Sequence, residues 1–331
     1  MCTAVTFRTN NHYFGRNLDF EYDFGECVVI TPRNYPFHFR KTSTVTSHYA
    51  IIGMAVMDND YPLYFDATNE KGLSMAGLYF PGNAVYHPEK QGMKNISPFE
   101  FIPWILGSCE TIAQVRDKLQ KLNLADIPYS KEFPLTPLHW IIADKDCSIV
   151  VEPMADGIKV FDNPLGVLTN NPPFDFHLHN LTGYLNLTAK EAENRFAPTG
   201  NITPYSRGMG AIGLPGDLSS ASRFVRAAFV KLNSVCENTE TASISQFFHI
   251  LNSVAQQEGC VQVGHKYERT IYTSCCNTDT GIYYYTTYTN SRIIGVSMHD
   301  ADLDSANLIF CPLRTAQDIK MENVSRKKQH S

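Results

Sequence analysis

Short runs of β-branched and aromatic residues gather in clusters along this chain instead of alternating one-for-one with helices, and that pattern limits its fold more than any other. Residues 2–7, 13–17, 28–31, 49–56 and 73–78 form one cluster. Residues 139–143 and 148–152 form a second, and 270–274, 282–287 and 293–297 a third. Gly, Asn, Asp or Pro bound these runs, as expected of strands. Helical periodicity is confined to a few places. After Thr111, the apolar Ile112, Val115, Leu119 and Leu122 recur at three- and four-residue steps, and Thr111 with Gln114 fits a capping box. Ser243 with Gln246 offers a second box ahead of Phe247, Phe248, Leu251 and Val254; residues 99–106 and 224–232 are further helix candidates. Strand clusters separated by helices predict mainly antiparallel sheets covered by helices, an α+β arrangement.

The bulk numbers narrow the functional classes. With 43% hydrophobic and 18% charged residues, the 331-residue chain is globular and long enough for one large domain or two ordinary ones. A net charge of -5 argues against nucleic acid, which calls for a basic face. The one basic run, Arg326-Lys327-Lys328, reads as a solvated tail. No stretch has the roughly 18–20 apolar residues of a membrane span, and the first residues lack the charged and apolar regions of a secretory signal. A cytoplasmic protein is expected, in which the Asn-x-Ser/Thr matches at Asn95, Asn180, Asn186, Asn201 and Asn323 carry no sugar. Nine cysteines without a Cys-x-x-Cys suit buried free thiols in a reducing compartment better than a disulfide framework. No metal site is expected: there is no His-Glu-x-x-His, and His177-Leu-His179 is an isolated pair.

Chemistry is concentrated at the start of the chain. Cys2 follows the initiator Met, and a small second residue normally permits removal of that Met. The mature chain would then begin with a thiol and a free α-amine on one residue. Their ordinary pKa values are about 8.5 and about 7.7–8.0, so the amine can take the thiol proton near neutrality without any histidine. On position alone Cys2 also reads as a tolerated small residue of no chemical role. Thr9-Asn10-Asn11 reads as a turn, and a hairpin folded there carries Cys2 opposite the region of Arg16 to Asp19. A cation and a carboxylate are thereby delivered to the chain's own beginning. Which faces align is not fixed by the sequence.

The stretches Met-Cys-Thr-Ala-Val-Thr-Phe (1–7) and Phe-Gly-Arg-Asn-Leu-Asp (14–19) resemble the choloylglycine hydrolase family, the N-terminal-nucleophile amidases that include bile salt hydrolases and penicillin V acylases. The likeness continues through Asn-Glu-Lys-Gly-Leu (69–73), Leu-Tyr-Phe-Pro (78–81), Pro-Leu-His-Trp (137–140) and Gly-Val-Leu-Thr-Asn-Asn-Pro (166–172). It extends to Gly-Leu-Pro-Gly-Asp (213–217), Ser-Arg-Phe-Val-Arg (222–226), Phe-Phe-His-Ile-Leu (247–251) and Tyr-Thr-Ser-Cys-Cys (272–276). The resemblance implies a four-layer αββα sandwich in one domain over residues 1–331, its tail after about 316 peripheral, assembled as a homotetramer without cofactor. It places the nucleophile on Cys2, a thiolate-favouring cation on Arg16 and the carboxylate that holds the α-amine on Asp19. The oxyanion donors fall on Asn170 and the backbone N–H of Tyr79, and a second active-site arginine on Arg223. Leu18, Tyr22, Phe24, Ala67, Phe133 and Leu135 match positions that line the substrate pocket in relatives.

One departure bears on substrate. Bile salt hydrolases commonly carry Asn where this chain has Tyr79, and tyrosine there resembles the penicillin V acylases. A backbone donor survives such a change; the pocket wall does not. The implied activity is hydrolysis of glycine- or taurine-conjugated bile salts through an acyl-enzyme. Penicillin V or another N-acyl amide is the alternative substrate, and a binding or redox protein on the same fold is the rival of a different class. Gly208-Met-Gly210-Ala-Ile-Gly213 satisfies the dinucleotide fingerprint, but Pro215 removes an N–H soon after the required helix start, so a turn is expected instead.

Overall fold

The computed structural model describes residues 1–197 and 199–322. Arg326, Lys327, Lys328 and Asn323 lie outside them. In chain order the strands begin with β1 (Cys2–Arg8), β2 (His12–Phe20), β3 (Cys27–Thr31), β4 (Ile51–Asp58), β5 (Tyr61–Asn69) and β6 (Ser74–Tyr79). After β7 (Lys94–Ile96) come the helices α1 (Phe101–Leu106) and α2 (Ile112–Leu119). Next are β8 (Leu122–Leu124), β9 (Leu138–Ala143), β10 (Ser148–Met154), β11 (Gly157–Asp162) and β12 (Val167–Leu168). Helices α3 (Phe174–Asn180), α4 (Ser220–Asn233) and α5 (Glu240–Asn252) follow. The chain closes with β13 (Gln262–Val263), β14 (Lys266–Tyr267), β15 (Arg269–Asn277), β16 (Ile282–Thr287), β17 (Asn290–Ser297) and β18 (Ile309–Pro312).

Two antiparallel sheets dominate. One has the order β12-β1-β2-β15-β16-β17, the other β11-β10-β9-β6-β5-β4-β3-β18. The alternation of side chains along each strand sorts the second sheet into two faces. Ile52, Met54, Ala76, Leu78, Ile141 and Val150 share one apolar cluster with the first sheet. Ile51, Ala55, Met75, Trp140, Ile142 and Val151 share another with α1 and α2. Helices α4 and α5 cover the first sheet: Asn17 of β2 donates from its Nδ2 to the Leu251 carbonyl of α5, and Arg223 of α4 reaches Thr3 of β1. The layers therefore run helix, sheet, sheet, helix, as the resemblance implied. Each fully buried Leu, Ile or Phe in these layers contributes on the order of 1.5–3 kcal/mol.

Local signals hold with two adjustments. Thr111 caps α2, but the Gln114 side chain accepts from Glu110 N–H, so the box is half formed, and Leu122 belongs to β8. Ser243 is not a cap. It lies in the first turn of α5, where its hydroxyl donates to the Thr239 carbonyl, and Thr239 accepts from Ala242 N–H as the true cap. The chain at Gly208 to Gly213 makes a turn, with φ of 81° and 100° at those two glycines, and α4 starts only at Ser220. Strand β5 escaped the sequence pattern because its faces carry Asp66, Thr68 and Asn69 among the apolar residues.

Candidate active site

The β1–β2 hairpin pairs Cys2 with Leu18, Thr3 with Asn17 and Ala4 with Arg16. Cys2, Arg16 and Leu18 consequently share the face turned toward the second sheet. Asn17 and Asp19 share the other, under α4 and α5. Gly15 permits the close approach of β2 to β15, since a Cβ there would lie 2.0 Å from the Ser274 carbonyl oxygen. Because Cys2 is the first residue of the ladder, its backbone nitrogen lies in the plane of the sheet, where groups from both faces can reach it. That is the physical reason the site forms at this end of the strand.

Met1 is present, so the Cys2 nitrogen is a peptide N–H occupying the place of the α-amine that loss of Met1 would expose. It donates to Asn170 Oδ1 at 2.7 Å. Asn170 lies just beyond β12, the short strand that pairs Leu168 with Ala4 and Val167 with Val5. Gly166, at φ 58°, turns the chain into β12, and a side chain there would strike Thr6 Oγ1. The amide is held on all sides: Arg223 Nη2 donates to Oδ1 at 2.8 Å, and Nδ2 donates to the Tyr79 carbonyl at 2.7 Å. An amide nitrogen carries two hydrogens, so one remains.

Tyr79 meets Asn170 for a reason set by the ladder. Phe80 N–H donates to the Pro137 carbonyl at 2.8 Å, and antiparallel bonding alternates, so Tyr79 opposite Leu138 is at a non-hydrogen-bonded position. Its carbonyl and N–H point away from β9. The pairing of β6 with β5 ends at Ala76, which leaves the Tyr79 N–H outside the ladder.

Three buried ionic groups surround this point. Arg16, fully buried, donates from Nη1 to the carbonyls of Gly77 at 2.5 Å and Phe65 at 3.2 Å, bridging the sheets; its Nη2 has no partner among the described residues. Burial opposes its charge, but the Cys2 thiol, Tyr272, Asp66 and Asp19 outweigh that and hold it above the usual arginine range. Arg223 Nη1 donates to the Cys2 carbonyl and to Thr3 Oγ1, each at 2.6 Å, and lies 4.0 Å from Asp19 Oδ2. Asp19 Oδ1 accepts from Thr270 at 2.6 Å, while its Oδ2 is buried with no hydrogen-bond partner among the described residues. Burial raises the Asp19 carboxyl, with Arg223, the Met1 α-ammonium, Thr270 and Arg16 pulling it back; burial lowers Arg223, against Asp19 and Cys2.

An aromatic wall continues from the end of β2 beyond Leu18. Phe20, Tyr22 and Phe24 have ring centroids 4.8–5.0 Å apart, Phe24 meets Phe65 at 5.4 Å, and Phe65 meets Tyr272 at 6.5 Å. Tyr272 pairs with Leu18. Leu18, opposite Cys2, is thus linked through Tyr272 and Phe65 to Phe24, Tyr22 and Phe20. Phe133 is 36% exposed and packs on Tyr129, and Leu135 is half-buried in the same loop. Ala67 does not join them. It is buried in the cluster beneath α1, beside Gly53, because alternation along β5 turns it away from the face that carries Asp66. The surroundings of Arg16 were also missed: Asp66 accepts from Tyr272 at 2.6 Å, Tyr283 at 2.7 Å and Ser274 at 3.1 Å. An aspartate in a strand otherwise rich in β-formers is the one signal that pointed there. All nine cysteines are unpaired; Cys275 and Cys276 are buried, and burial pushes both thiols up.

Comparison with known proteins agrees with this fold. Residues 2–311 match the model of the linear amide C–N hydrolases, choloylglycine hydrolase family. A bile salt hydrolase/transferase of Lactiplantibacillus plantarum is 54% identical over 316 residues, covering 95% of this chain and 98% of that one. A mutant conjugated bile acid hydrolase of Clostridium perfringens superposes with a TM-score of 0.90 at 38% identity, over 98% of this chain and all (100%) of that one. The penicillin V acylase of Agrobacterium tumefaciens shares the fold, with a TM-score of 0.74 at 18% identity over 95% and 92% of the two chains. Two antiparallel sheets between helices, with Cys2, Arg16, Asp19, Asn170 and Arg223 converging where β1 begins, and relatives matched along nearly their whole length, lead to one conclusion: the chain belongs to the choloylglycine hydrolase family of linear amide C–N hydrolases.

Proposed function

We propose that the chain hydrolyses the amide bond of glycine- and taurine-conjugated bile salts through an acyl-enzyme on Cys2. One observation supports this most: the Cys2 nitrogen is bonded to Asn170 Oδ1, with the orphaned carboxylate oxygen of Asp19 alongside. Asp19 N–H donates to the Met1 carbonyl at 2.9 Å, and Arg223 Nη1, bonded to the Cys2 carbonyl, lies 4.0 Å from Asp19 Oδ2, so the carboxylate lies near Cys2. Once Met1 is lost, an α-ammonium at this nitrogen supplies the hydrogen that Asp19 Oδ2 lacks.

The α-amine takes the thiol proton, and Arg16 favours the thiolate. The sulfur attacks the amide carbonyl; the second Asn170 Nδ2 hydrogen and the Tyr79 N–H receive the oxyanion. The ammonium gives its proton to the departing amine, and water then attacks the thioester with the amine again as base. The aromatic wall from Phe20 to Tyr272 suits a steroid. Another amine can replace water at the thioester, in keeping with the relatives named hydrolase/transferase.

Penicillin V is the second substrate reading, favoured by the phenol of Tyr79, which is 37% exposed. Taurocholate, glycocholate and penicillin V hydrolysed under identical conditions decide between them. Intact mass should show Met1 removed, and Cys2→Ala should abolish turnover; cleavage surviving that replacement refutes the acyl-enzyme. The same reading includes one domain, no cofactor, a cytoplasmic location and a homotetramer. Among the described residues no helix is long and apolar enough to cross a membrane. Leu185, Phe196, Ile202, Tyr205 and Ile212 present apolar surface on one long connection, which supports self-association.

A further inference from the structure

Bonded to the backbone on either side of Asn170 is a buried pair that the reaction does not touch. His139 of β9 and Glu152 of β10 are both fully buried, with His139 Nδ1 and Glu152 Oε1 2.9 Å apart. The ladder that pairs Trp140 with Val151 puts them at facing positions one step further on. The other His139 nitrogen, Nε2, is 2.9 Å from the Thr169 carbonyl, which can only accept, so Nε2 carries a hydrogen. The Phe80 ring stacks on the imidazole at 4.2 Å and fixes its plane. Glu152 Oε1 also accepts from Phe174 N–H at 3.1 Å.

The pair therefore holds both ends of the 169–174 turn. Between those ends, Asn170 N–H donates to Ser220 Oγ at 2.8 Å, and its carbonyl accepts from His177 Nε2 at 2.8 Å. We infer that His139 and Glu152 are positioning residues for hydrolysis: they fix the Thr169–Asn170 backbone so that the Asn170 amide is aimed at the developing oxyanion. This rests on the role of Asn170 given under Proposed function. Displacement of a catalytic group by about 1 Å costs as much as 100-fold in rate, and a turn freed at both ends moves on that scale. The pair makes no contact with Cys2, so its effect falls on kcat.

The test is Glu152→Leu, measured alone and combined with Asn170→Ala. Glu152→Leu should lower kcat by about 10- to 100-fold with KM within about twofold. In the Asn170→Ala background it should cost less than about twofold more, because the group it aims is gone. Glu152→Gln keeps an acceptor for Phe174 N–H and should recover part of the loss. If Glu152→Leu does not fold, His139→Asn, whose side chain is too short to reach the Thr169 carbonyl, takes its place in the same cycle. A folded variant with near-parental kcat, or a loss that multiplies undiminished in the Asn170→Ala background, overturns the inference while leaving the role of Asn170 standing. Full turnover in Asn170→Ala alone overturns both.

Discussion

Asn170 can be tested by two substitutions that separate its chemistry from its packing. Its side chain makes three hydrogen bonds, buried ones with the Cys2 nitrogen and Arg223 and a partly buried one to the Tyr79 carbonyl. At about 0.5–1.5 kcal/mol net each, their loss in Asn170→Ala destabilises the fold by about 2–4 kcal/mol. Removing one oxyanion donor raises the barrier by about 2.7–4 kcal/mol, a 100- to 1,000-fold loss in kcat. Asn170→Asp keeps an acceptor for the Cys2 nitrogen and strengthens the bond from Arg223, so its stability should exceed that of Asn170→Ala. It also loses the donating N–H and sets a negative charge beside the oxyanion, so its kcat should be no higher. Steady-state kinetics on a conjugated bile salt, with urea unfolding of each variant, reads both quantities. A folded Asn170→Ala enzyme within a few-fold of the parent, or an Asn170→Asp enzyme as fast as the parent, refutes the donor role.

Arg223→Lys should lose at least about tenfold in kcat/KM despite conserving charge. One ammonium cannot span the Cys2 carbonyl, Thr3 Oγ1 and Asn170 Oδ1 as the guanidinium fork does; near-parental kinetics count against that geometry. Tyr79→Asn leaves the backbone donor in place, so turnover should persist while the ratio of bile salt to penicillin V hydrolysis rises; an unchanged ratio removes Tyr79 from the pocket wall. Burial lowers the His12 imidazole to about 4, against the opposing pull of Asp279. Below about 6.5 the unfolded chain binds a proton that the folded one refuses, so this contribution to stability is complete above that pH and is lost as pH falls toward 4. It amounts to about 3 kcal/mol. His12→Gln should therefore flatten stability against pH over that window, and parallel curves for the two proteins would contradict it.

Much of this was open to reading from residues alone. The hairpin folded at residue 10, the antiparallel character of the sheets and the convergence of Arg16 and Asp19 on Cys2 follow from turn chemistry and period-two alternation, which are local. Thr111 was legible as a cap for the same reason, whereas Ser243 was misplaced because another Thr four residues earlier competes for the role. The matches at Asn170 and Arg223 came from likeness to a family; no spacing rule could bring residues 2, 170 and 223 together.

What the linear chain determined by itself was which residue types are present and which immediate neighbours they face, since a strand's register about its own turn is set within a dozen or so positions. Tertiary packing alone decided the rest. It turned Ala67 away from Cys2, left the Tyr79 N–H outside its ladder, and surrounded Arg16 with the Asp66 network. These depend on where one sheet's face meets another's, over separations of tens to hundreds of residues, and a buried polar group is placed only when every partner that satisfies it has arrived.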